Sequence, residues 1–96
     1  MSPINKNKLN LLRVKLDMLD SELLKLIKKR SNLVNDVLKV KVHKKEIIDQ
    51  KRINFILKKI KMKSIKLKID PKITTRIWKN MIWSFIDYEK RNFKRK

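Results

Sequence analysis

Residues 9–41 read LNLLRVKLDMLDSELLKLIKKRSNLVNDVLKVK, and this stretch decides the fold. It contains no Gly or Pro, and its apolar residues recur at helical spacing. Leu12, Leu16, Leu19, Leu23, Leu26, Val34 and Val37 fall on one stripe at steps of three, four or eight. Two cations interrupt that stripe. At about 100° per residue, Arg30 projects within roughly 40° of Leu19, Leu23, Leu26, Val34 and Val37, and Lys41 within roughly 20° of Arg30. An unpaired charge buried in an apolar seam costs several kcal/mol, so each cation needs a partner. The chain has 28 Lys and Arg against 9 Asp and Glu, which makes a bound anion a candidate for that role.

The 96 residues make one domain with a modest core. Cysteine is absent, which excludes disulfides and thiolate chemistry. Glycine is absent too, and there are only two prolines among 42% hydrophobic residues. That composition excludes a disordered tail and a sheet protein rich in tight turns, and leaves an all-α fold. The opening MSPINKNKLN has no apolar run suited to a signal peptide, and no stretch approaches the roughly 20 apolar residues of a membrane span. A soluble, cytoplasmic protein is expected. The formal charge of +19 invites a nucleic-acid-binding or scaffold reading. The excess, however, is mostly Lys spread along the whole chain beside abundant Ile and Asn. AT-rich coding would produce that pattern without a polyanionic partner. Diffuse lysine still steers small anions toward the surface.

The spacing predicts a first helix over about 7–42. Residues 9–42 as one straight helix would span about 50 Å, whereas a compact monomer of this length is only about 30–35 Å across. No residue marks a break, so a second chain must cover the stripe, and an intertwined homodimer is expected. Residues 43–46 read as a short polar connection. His43, the only histidine, reads as a surface loop residue, since no second metal ligand or nucleophile pairs with it. A second helix is expected over 47–63, with Asp49, Arg52, Ile53, Ile56 and Ile60 on one face. Residues 64–69 read as a linker with Ile65, Leu67 and Ile69 tucked against the helices. Asp70-Pro71 marks a helix start, Asp as N-cap and Pro at the first position. The third helix is expected over 71–93, with Trp78, Met81, Ile82, Phe85, Ile86 and Phe93 on its stripe. Glu89 falls at the centre of that stripe, where packing alone would want Leu. Trp83 lies off it.

The polar residues on apolar faces are therefore Arg30, Lys41, Asp49, Arg52 and Glu89. Arg13 sits at the margin of the first stripe, about 25 Å along the helix from Arg30. The two cannot meet within one protomer, but in an antiparallel dimer Arg13 of one chain can approach Arg30 of the other. Three Arg and one Lys inside a helical bundle suit a small dicarboxylate, because the guanidinium fork matches a carboxylate.

In these residues the chain resembles the all-helical chorismate mutases, from about Leu9 to Phe93. The segment LLRVKLDMLDSELLKLIKKRSNLVNDVLKVK is similar to the family's opening helix, Asp49-Gln50-Lys51-Arg52 to its Asp-x-x-Arg, and ITTRIWKNMIWSFIDYEK to its closing helix. The resemblance implies a three-helix protomer in an intertwined six-helix homodimer with two equivalent sites. It also implies the rearrangement of chorismate to prephenate, at the branch toward phenylalanine and tyrosine. That step needs no nucleophile, metal or cofactor. It requires a fixed conformer, two held carboxylates and hydrogen bonds to the ether oxygen as charge grows there.

By the same resemblance, Arg13 of the partner chain and Arg30 would hold the carboxylates, and Lys41 would donate to the ether oxygen. Arg52 would add to the carboxylate network, and Asp49 would lie near the substrate hydroxyl. Glu89 stands where the family has Gln or Glu. As Glu it must be protonated to donate, so better activity is expected at mildly acidic pH. Two positions depart from the family pattern. Ile53 stands where many members have Glu, and Phe85 where a Ser is common. Ser84 projects about 100° from Phe85 and does not replace that Ser. The isochorismate pyruvate-lyases share this fold and also vary at these positions, so isochorismate is the alternative substrate.

Overall fold

The computed structural model describes residues 3–94 as three α-helices and one short 3₁₀ turn. The helices are α1 (Pro3–Val40), α2 (Gln50–Lys66) and α3 (Pro71–Asn92), and the 3₁₀ turn is Lys44–Ile47. By its internal contacts the chain divides between Leu33 and Val34 into two units.

The first unit is the bulk of α1. Helix α1 has 38 residues and is about 57 Å long. It begins at Pro3, earlier than the expected residue 7, because proline at a helix start forfeits an N–H that has no partner there anyway. Local bonds line its exposed surface. Ser21 and Ser31 donate to the carbonyls of Asp17 and Ile27, four residues back, and Lys25 pairs with Glu22 at 3.3 Å. Between residues 5 and 29 every side chain but that of Leu9 is exposed. The apolar stripe is thus bare within one chain: Leu16, Leu19, Leu23 and Leu26 are all more than half exposed. Most helical stability comes from packing an apolar face rather than from propensity, so this helix lacks within one chain what normally holds such a helix.

The second unit runs from Val34 and holds the core. Ile47, Ile53, Ile82 and Ile86 are its buried residues, with Leu38, Ile56, Leu57, Trp78 and Phe93 packed around them. Helices α2 and α3 lie antiparallel. The start of α2 meets the end of α3 through Ile53 and Ile86, and the end of α2 meets the start of α3 through a buried hydroxyl pair. In that pair Ser64 Oγ lies 2.7 Å from Thr74 Oγ1 and also donates to the Ile60 carbonyl at 2.7 Å, while Thr74 Oγ1 lies 3.4 Å from the Pro71 carbonyl. Both polar groups are thereby satisfied without water.

Three further boundaries differ from the sequence reading by more than one residue, each for a local reason. Helix α1 ends at Val40 rather than residue 42. The Glu46 carboxylate accepts from the backbone N–H groups of Val42 (2.9 Å) and His43 (3.4 Å), which pulls the chain out of the helix. Helix α2 begins after Asp49, not at residue 47, because the Asp49 carboxylate accepts from Arg52 N at 3.0 Å and acts as the N-cap. Ile47 instead sits in the 3₁₀ turn and enters the core. At its far end α2 runs to Lys66, so residues 64–66 are helical rather than linker. Ser64, not Ile65, turns inward. Ile65 and Leu67 are 58% and 70% exposed, and Ile69 is exposed as well, which corrects the expectation that they tuck against the helices.

The α2 terminus closes with Lys68 N donating to Ile65 O and Ile69 N to Ser64 O, the paired bonds of a Schellman motif. Glycine normally occupies the left-handed position there, and in this glycine-free chain Lys68 takes it at φ 58°. Asp70 caps α3 through Lys72 N at 2.9 Å, with Pro71 as the first helical residue. On α3, Ile82, Ile86 and Glu89 are buried and Trp78, Met81 and Phe85 half-buried, while Trp83 is exposed; Phe93, expected in the helix, is its half-buried C-cap. Among the described residues no helix is long and apolar enough to cross a membrane.

Candidate active site

Lys41 lies one residue beyond the end of α1, and its N–H bonds back to the Leu38 carbonyl at 3.2 Å in a tightened last turn. Leu38 packs on the isoleucine core, which brings that turn against α3. There Lys41 Nζ meets Glu89 Oε1 at 3.0 Å. The two side chains are only 17% and 7% exposed. Two residues that interrupt apolar stripes 48 positions apart therefore satisfy each other. Glu89 is the one carboxylate in the buried set. A cation and a carboxyl side by side, partly shielded from water, can present two donors to a ligand oxygen once the carboxyl carries a proton.

Asp49 and Arg52 flank the first turn of α2. They meet through the cap, carboxylate to backbone N–H, and the Arg52 guanidinium rests over the Phe55 ring at 5.4 Å. Both side chains are exposed. One Asp49 oxygen is committed to the cap. Arg13 and Arg30 belong to the α1 unit, where Arg13 is exposed and Arg30 half-buried. Ile53 is a core residue at 6% exposure, so its position contributes packing rather than a polar contact. Phe85 is half-buried one helical turn before Glu89, and Ser84 is exposed and bonds to the Asn80 carbonyl. His43 is exposed, and the described residues hold no group of three or more potential metal ligands.

Sequence reasoning does not single out Asn35 and Tyr88. The Tyr88 hydroxyl donates to Asn35 Oδ1 at 2.7 Å, from the position just before Glu89 on α3. Glu46 carries no sequence signal either, yet its carboxylate sets the loop that follows Lys41. A separate cavity of about 680 Å³ lies at the α2–α3 corner, lined by Lys61, Lys72, Thr75, Arg76, Lys79 and their neighbours. It sits toward the other end of α3, ten residues or about 15 Å from Glu89 at Lys79, and it holds no carboxyl group to work with its cations.

No curated protein and no solved structure matches the chain. A family model does, the one described as chorismate mutase type II, over residues 12–90. That span takes in Arg13, Arg30, Lys41, Asp49, Arg52 and Glu89 together, and on that match the chain belongs to the chorismate mutase type II family.

Proposed function

We propose that the protein is a chorismate mutase, converting chorismate to prephenate in the biosynthesis of phenylalanine and tyrosine, in the cytoplasm, as an intertwined homodimer with two sites. Family membership supports the activity. The observation that carries the assignment to residues is the shielded Lys41–Glu89 contact at 3.0 Å. In the rearrangement one C–O bond breaks while one C–C bond forms within the same molecule, and negative charge grows on the ether oxygen. Lys41 and protonated Glu89 would both donate to that oxygen, which stabilises the transition state more than the ground state. Arg30, Arg52 and the partner's Arg13 would hold the two carboxylates by bidentate bonds, and Asp49 would accept from the substrate hydroxyl with the oxygen its cap leaves open. No metal or cofactor is called for. The exposed lysines would raise the local concentration of a dicarboxylate substrate.

The homodimer rests on the bare stripe of α1. Each leucine taken from water to full burial contributes about 1.5–3 kcal/mol, and Leu16, Leu19, Leu23 and Leu26 offer such a face. A second copy laid antiparallel would cover it and bring its Arg13 toward Arg30. The direct test is to incubate the purified protein with chorismate, and separately with isochorismate, following loss of each substrate. Prephenate from chorismate is the expected result. Pyruvate released from isochorismate would move the assignment to the lyase activity, and turnover of neither would overturn the enzyme reading.

A further inference from the structure

Lys41 stands at a helix end, and helix ends fray. Three contacts fix it. Leu38 packs on the isoleucine core, Asn35 accepts from the Tyr88 hydroxyl at 2.7 Å, and Lys41 itself pairs with Glu89. Asn35 lies just under one turn before Leu38 and Lys41 just under one turn after it, so polar contacts bracket an apolar one. Both polar partners are adjacent residues of α3. The bracket changes when substrate enters: Lys41 and Glu89 exchange their mutual bond for bonds to the ether oxygen. The Tyr88–Asn35 bond involves no reacting group and persists. We infer that Tyr88 is a positioning residue, whose hydrogen bond to Asn35 holds Lys41 at its station opposite Glu89 after the ion pair opens. This inference rests on the proposed mutase reaction.

The Tyr88 ring has a second contact, the Arg91 guanidinium at 6.0 Å, which a phenylalanine would keep. Tyr88→Phe therefore removes the hydroxyl alone. One neutral hydrogen bond translates to a loss of roughly three- to tenfold in kcat. KM should change little, because Lys41 acts on charge that develops in the transition state. Asn35→Leu should match Tyr88→Phe, and Asn35→Asp, which keeps the acceptor, should restore the rate. In a Lys41→Met background Tyr88→Phe should have no further effect on the residual turnover. All rates are taken per folded protein, well below the melting temperature of each variant. An active wild type with unchanged kcat in Tyr88→Phe overturns the inference alone. So does an equal loss with and without Lys41, which marks the bond as general support of the fold. A wild type that leaves chorismate untouched overturns the proposed function, and this inference with it.

Discussion

Replacing Glu89 by glutamine tests how the site supplies its second donor. In the resting chain the Glu89 carboxylate accepts from Lys41 at 3.0 Å and is nearly closed off from water. To donate to the ether oxygen it must gain a proton, and it does so at the expense of that ion pair. The side-chain amide introduced by Glu89→Gln donates at every pH and can still accept from Lys41. That variant should therefore keep turnover at or above the wild-type rate. Glu89→Leu, which fills the volume without a donor, should lower kcat by roughly 10²–10³, the usual loss for one transition-state donor. Because the amide keeps an acceptor for Lys41, Glu89→Gln should also lose less stability than the roughly 3–5 kcal/mol typical of leaving a buried charge unpaired. Initial rates of chorismate loss for wild type and both variants, with a thermal melt of each, read both effects. An amide variant as slow as Glu89→Leu, or a leucine variant as fast as wild type, would refute the donor role of Glu89.

Other residues give independent checks. Lys41→Met should reduce kcat by roughly 10²–10³ and leave the far-ultraviolet circular dichroism spectrum unchanged; retained turnover would remove Lys41 from the site. Leu19→Glu combined with Leu23→Glu, two residues 60% and 54% exposed in the single chain, should abolish association in sedimentation equilibrium, and an undisturbed dimer would show that another face is the interface. Lys68→Gly should raise stability by roughly 0.5–1 kcal/mol, because it relieves the left-handed strain at φ 58°. The melting temperature should rise by a few degrees, and a lowered one would contradict the Schellman geometry at that corner.

The features legible in the sequence are those whose cause lies within a turn or two of the chain. Asp70-Pro71 carries its own cap and stop, so the start of α3 is readable from two residues. The apolar stripe of α1 is readable by period alone, and Lys41 and Glu89 stand out as polar residues where packing wants leucine. Their meeting is not legible: the composition points to a bound anion as the partner of Lys41, and the fold supplies Glu89 instead. Features set by geometry between elements are hidden. Nothing local marks Asn35 and Tyr88 as a pair, since 53 residues separate them. Asp49 looks like a member of a helix face until its carboxylate is seen capping the next turn. The end of α2 gives no signal because a lysine takes the position where glycine would announce it. The alternation of Ser64-Ile65-Lys66-Leu67-Lys68-Ile69 imitates a strand, yet the helical period carries through its first half and sends Ser64 inward.

The central claim is that neither site is complete in one chain, and mixing two inactive variants tests it. Arg13→Ala and Arg30→Ala homodimers should each lack turnover of chorismate, because every site misses one carboxylate contact. Unfolded together and refolded at equal amounts, the chains should form about half heterodimers, each with one intact site and one doubly defective site. Chorismate loss should then recover to about one quarter of the wild-type rate. No recovery in a mixture shown to contain heterodimers would mean that Arg13 and Arg30 do not meet across the interface.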